Sequence, residues 1–101
     1  MVKDAYSLKW APRSKKDLKE IYNYIKERDT NSALYVVNTI RQKAKEATFY
    51  PTKGPIEPTI NEERVRFLIK WSYKIIYEIK TDHILVLRVF HMSQNPNKLI
   101  N

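Results

Sequence analysis

Arg64, Arg66, Lys74, Arg88 and His91 are the side chains whose types and spacing suit chemistry on an anion. All lie within residues 64–91, in runs otherwise rich in Val, Ile, Leu, Phe and Tyr. Arg64 and Arg66 are two positions apart, which in a strand puts them on one face. Lys74 interrupts an apolar run. Arg88 interrupts Leu85-Val-Leu-Arg-Val-Phe90, the most apolar run of the region, and His91 follows directly. Converging, these groups would form a cationic surface with a titratable imidazole at its rim. The alternative is that they are the solvent-facing residues of alternating strands, because an antiparallel sheet often keeps one wet face.

The elements that must position them are legible. Arg64–Ile69, Tyr73–Ile79 and Ile84–Phe90 have the composition of strands, which favour β-branched and aromatic residues. The gaps Lys70–Ser72 and Lys80–His83 have the length of hairpin loops, too short for parallel crossovers. This stretch is expected to be an antiparallel meander. Upstream, Tyr6–Trp10 alternates, with Tyr6, Leu8 and Trp10 on one side. A helix is expected from Pro12 or Ser14 to Arg28, because Leu18, Ile21, Tyr22 and Ile25 repeat at helical spacing. Proline is well placed at a helix start. A second helix is expected from Ser32 to Phe49, with Ala33, Val37, Ile40, Ala44 and Ala47 as its apolar stripe. The short break Asp29–Ser32 makes the two an antiparallel hairpin. Phe49–Ile60 holds Pro51, Pro55, Pro58 and the only glycine, Gly54, so it reads as a loop.

The order is therefore β-α-α-β-β-β. We expect an α+β domain: a four-stranded antiparallel sheet with the N-terminal helical hairpin packed on one face. The 101 residues suit a single domain, with residues 97–101 as a short tail.

Composition narrows the functions. The net charge is +8, with +5 in residues 1–50 and +3 in residues 51–101, so the excess is spread and is not a basic tail. Such a domain expects an anionic partner: nucleic acid, the ribosome or an acidic protein. There is no cysteine and only two histidines, so neither a disulfide framework nor a metal centre is expected, and no cofactor. No run approaches the roughly 18 apolar residues that span a membrane. The first ten residues lack an apolar signal core. A cytoplasmic protein is the expectation.

Several stretches together resemble a known family. They are Trp10-Ala-Pro12, Asp17-Leu18, Ile21-Tyr22-Asn-Tyr24-Ile25, the Pro/Gly loop, Arg64-Val-Arg66, Tyr73-Lys-Ile-Ile-Tyr77, Leu87-Arg88-Val-Phe-His91 and Gln94-Asn-Pro96. In order and spacing they look like the RelE/ParE superfamily of toxins from type II toxin–antitoxin modules, and more like the ParE branch. The resemblance implies a toxin that pairs with a cognate antitoxin in a hetero-oligomer, the antitoxin contributing an acidic C-terminal segment. ParE-like members poison DNA gyrase. RelE-like members cleave mRNA on the ribosome without a metal. Such cleavage needs a base for the 2′-hydroxyl, cations for the developing phosphorane charge and an acid for the leaving oxygen. Were the chain a nuclease, Arg64, Arg66, Lys74, Arg88 and His91 would be its candidates. Lys74 stands where the RelE-like pattern has an arginine, giving a point charge in place of a bidentate clamp. The C-terminal tyrosine of that pattern has no match, so the nuclease set is incomplete. Outside the resemblance, a basic nucleic-acid-binding module without toxicity is the competing reading.

Overall fold

Helical and strand periodicities settle into six elements in this computed structural model, which describes residues 6–93. They are β1 (Ser7–Trp10), α1 (Pro12–Lys26), α2 (Thr30–Phe49), β2 (Val65–Lys70), β3 (Tyr73–Ile79) and β4 (His83–His91). The Gln94-Asn-Pro96 motif and the expected tail lie outside the described residues.

α1 opens with Pro12 at its first turn, and the Ser14 hydroxyl donates to the Ala11 carbonyl at 2.7 Å. α2 starts two residues before the expected Ser32. Asp29 takes the cap position, its carboxylate accepting from the Asn31 amide at 3.0 Å and the Ser32 hydroxyl at 2.8 Å. A side-chain acceptor there satisfies amides that the helix start leaves unpaired. Those bonds, led by the one from Ser32, hold the Asp29 carboxyl below its ordinary value.

The sheet runs β1-β4-β3-β2. The meander β2-β3-β4 is antiparallel, as expected. β1 departs from expectation: it pairs with β4 in parallel, Ser7 opposite His83 and Trp10 opposite Val86, so the sheet is mixed. The cause is the connection. The whole helical hairpin and two strands separate β1 from β4, and a long crossover lets the pair run in the same direction. Among the described residues no helix is long and apolar enough to cross a membrane.

Both sheet faces are packed. On one, Leu18, Val37, Ile40 and Ala44 of the helices meet Ile75, Val86 and Val89. Ala47 meets Leu68, Tyr77 and Ile84 nearby. The small alanines of α2 let its backbone approach the sheet closely. The other face is not the wet one that simple alternation suggests. Val65, Ile76 and Phe90 are buried there, with Phe67, Leu87 and Ile60 packed around them. The loop between α2 and β2 folds back over this second core, and Ile56 bridges to Arg66 on the β2 edge.

Gly54 explains how closely that loop lies. A Cβ at this position would sit 2.1 Å from the Phe67 carbonyl oxygen, and the Gly54 amide already donates to the Tyr77 hydroxyl at 3.3 Å. Tyr77 in turn donates to the Pro51 carbonyl at 2.7 Å. Gly54→Ala is therefore expected to push the loop off the sheet and cost about 1–3 kcal/mol, the scale of overpacking a filled site. Urea denaturation checks it: the midpoint falls while the slope stays constant. An unchanged midpoint would mean the loop yields without loss.

Candidate functional site

α1 brings an acidic group to the one arginine of β4. Asp17 is 4% exposed, on the buried side of α1 with Ser14 and Leu18. Its carboxylate accepts from Arg88 Nε at 2.9 Å and Arg88 Nη2 at 3.1 Å, and from the Val89 amide at 2.9 Å. A β-bulge makes this possible. Ile76 faces Arg88 while Tyr77 faces Val86, so Leu87 is an extra residue in β4. The added residue re-aims the strand, which is a common use of bulges beside functional sites. Arg88 thus reaches toward α1 within an otherwise apolar strand.

Above this pair lies a groove of about 520 Å³ between α1 and the end of β4. Arg13, Glu20 and Tyr24 line one wall; Tyr73, His91 and Ser93 line the other. The Ser93 amide donates to His91 Nδ1 at 3.1 Å, and the Ser93 hydroxyl lies 2.7 Å from the same atom. Nδ1 is therefore an acceptor, which assigns the proton of a neutral ring to Nε2. The ring stands edge-on to Tyr73 with centroids 5.3 Å apart. Burial pushes the Tyr73 hydroxyl above its ordinary value, and Tyr24 adds to the rise. The groove thus offers a neutral phenol, an imidazole N–H and a half-exposed Arg13. It is equipped to donate hydrogen bonds, while His91 Nδ1 is engaged by the Ser93 amide and hydroxyl.

The other sequence candidates lie elsewhere. Lys74 follows Tyr73 and so points to the opposite face. There its ammonium pairs at 2.7 Å with Glu57, a carboxylate 0% exposed, and lies 4.3 Å from the centre of the Phe67 ring. Burial raises the Glu57 carboxyl, but the Lys74 and Thr59 hydrogen bonds together with the Lys74 charge outweigh it, and Glu57 ends below its ordinary value. Arg66 is tied by its Nε to the Glu63 carbonyl at 2.7 Å and by Nη1 to the Gly54 carbonyl at 3.2 Å. Arg64 sits between Glu62 and Glu78, with Nε 2.8 Å from Glu78. On the loop, Lys53 pairs with Glu46 at 2.8 Å.

Arg88 and His91 therefore share a groove; Arg64, Arg66 and Lys74 do not join them. Arg66 is opposite Tyr77, and His91 is opposite Tyr73. Four residues along β3 is about 13 Å and two strand spacings about 10 Å. Sequence reasoning overlooked Asp17 and Glu57 as partners. Asp17 had a signal: it falls on the stripe of Ser14, Leu18 and Ile21, where a carboxylate must find a cation. Glu57, in a loop without periodicity, had none.

A helical hairpin on a four-stranded sheet of this connectivity is a RelE/ParE-like fold. The match to the ParE toxin of the type II system parDE spans residues 8–96, and the chain belongs to that family. Among solved structures, it is similar to the chromosomal ParDE toxin–antitoxin system of P. aeruginosa. That similarity is 27% identity with a TM-score of 0.70, over 86% of this chain and 96% of that one. It is also similar in fold to the toxin–antitoxin complex RelBE2 of Mycobacterium tuberculosis. There the identity is 15% and the TM-score 0.65, over 87% of this chain and 99% of that one. A curated protein with a matching sequence was not found.

Proposed function

We propose that this toxin inhibits growth by acting on DNA gyrase, without cleaving RNA, and that a cognate antitoxin neutralises it. The dispersal of the candidate cations carries this reading. Arg64, Lys74 and Arg88 are each paired with a carboxylate, and Arg66 is bound to two carbonyls. A metal-free nuclease needs such groups aimed together at one phosphate. The ParE family match and the 27% identical ParDE structure point the same way. For the antitoxin, a chain of net charge +8 favours an acidic segment, with charge setting the rate of encounter and apolar anchors the affinity. The groove between α1 and β4, with Arg13 at its mouth, is the seat we assign to that segment.

The test is a supercoiling and DNA-cleavage assay with antitoxin-free protein and purified gyrase. Trapped cleaved DNA, or blocked supercoiling, is the expected result, and it should persist in His91→Ala because the imidazole performs no chemistry. A folded, toxic protein with no effect on gyrase would instead direct attention to ribosome-dependent mRNA cleavage, in which His91→Ala and Arg66→Ala would abolish toxicity.

A further inference from the structure

The outer side of α2 and the β2–β3 turn carry aromatic rings that nothing in the described chain covers. Tyr35, Phe49 and Trp71 are 64%, 67% and 48% exposed. They are arranged. The rings of Tyr35 and Trp71 lie 5.8 Å apart, tilted by 43°. Phe49 lies at one end of a shallow depression of about 370 Å³, lined also by Thr39, Gln42, Lys43, Lys45, Glu46 and Lys70; Glu46 is already paired with Lys43 and Lys53. Tyr35 and Phe49 lie on the same helix, about 21 Å apart at the helical rise.

Trp71 is the most telling residue. It is the first of the two residues linking β2 to β3, and its φ is 53°. Glycine or asparagine adopts that conformation readily; a bulky side chain does so rarely and under strain. Burial does not repay it, because the ring is half in solvent. Strain of this kind, held at the surface, points to a role for the ring. The Lys70 ammonium lies 5.1 Å from its centre. Neither Lys45 nor Lys70 has a carboxylate partner among the described residues, unlike Lys74, Arg64 and Arg88.

We propose that this ledge binds single-stranded nucleic acid, with bases stacked on Trp71, Tyr35 and Phe49 and phosphates on Lys70 and Lys45. Exposed rings interleaved with unpaired cations are the means by which single strands are held without sequence preference, since every base has a π-face. An acidic peptide would use the cations but offers no planar groups to set against the three exposed rings. The site is separate from the α1–β4 groove and stands whether or not gyrase is the target.

The test is binding of a fluorescently labelled oligothymidylate of eight nucleotides, followed by anisotropy, together with the tryptophan emission of the protein. Wild type is expected to bind with quenching of Trp71. Trp10, the other tryptophan, packs against the core and should be silent. Trp71→Gly is expected to weaken binding about tenfold, the effect of losing one stacked base. It should leave urea stability unchanged or raised, because glycine relieves the strained φ. Lys45→Gln with Lys70→Gln should lower the slope of log affinity against log salt by about 1.4, two single-strand phosphate contacts. Three results would overturn the proposal: no binding, equal binding by wild type and Trp71→Gly, or quenching by a polyglutamate peptide but not by oligothymidylate.

Discussion

Asp17→Ala is expected to lower the unfolding free energy by about 3–5 kcal/mol, the range for removing one partner of a buried ion pair. The reasons are cumulative. The substitution removes the carboxylate that holds Arg88, which is only 12% exposed. It also strips the acceptor from the Val89 amide, which lies in the sheet interior where water cannot replace it. Domains of this size have about 5–15 kcal/mol in total, so the variant should be close to unfolded at physiological temperature. Asp17→Asn keeps an acceptor for Val89 and should lose less. Asp17→Leu combined with Arg88→Met removes both charges and should recover much of the stability. Urea denaturation of the three variants measures this, and a loss under 1 kcal/mol in Asp17→Ala would show that something else fastens α1 to β4.

Lys74→Ala should be comparably damaging, for a related reason on the other sheet face. It strands Glu57, a carboxylate with no exposed surface, at a cost again of about 3–5 kcal/mol. Its signature is a changed response to pH. In the wild type the folded Glu57 sits below its ordinary value of 4.5. Its contribution is therefore fully present above that value and is lost as the pH falls through the folded one. Without Lys74, burial dominates and raises the carboxyl, so the variant should gain stability as the pH falls toward 5 while the wild type does not. Thermal unfolding of the two proteins between pH 5 and 8 distinguishes them. Parallel curves would mean that Glu57 stays solvated when its partner is removed. Glu57→Gln, which keeps Thr59 as a donor, should flatten the acid limb of the wild-type curve.

These two pairs mark the boundary of what the sequence revealed. The helices were legible because the stripes Leu18–Ile25 and Ala33–Ala47 repeat within a single element. The meander was legible because its loops are short. The parallel pairing of β1 was not, since nothing local to Ser7–Trp10 records the direction of a partner 76 positions away. The candidate cations were recognised by type, but their partners were not. Lys74 reads as a solvent or phosphate contact until the proline-rich loop is seen to fold beneath it with Glu57. Arg88 reads the same way until a bulge at Leu87 turns it toward α1. Long-range charge pairing leaves only a mark of incongruity in sequence: an acid in an apolar stripe, a base in an apolar strand.

The mixed sheet also governs when the protein can become harmful during its own synthesis. β1 and α1 are made first, yet both are completed by β4: Ser7 to Trp10 need residues 83–86, and Asp17 needs a partner 71 positions downstream. A nascent chain therefore cannot close its sheet or form the groove until nearly all of it has left the ribosome. A chain stopped before β4 should be a protease substrate, without toxicity or the capacity to hold an antitoxin. The delay gives an antitoxin made alongside it time to be present when the toxin first becomes competent.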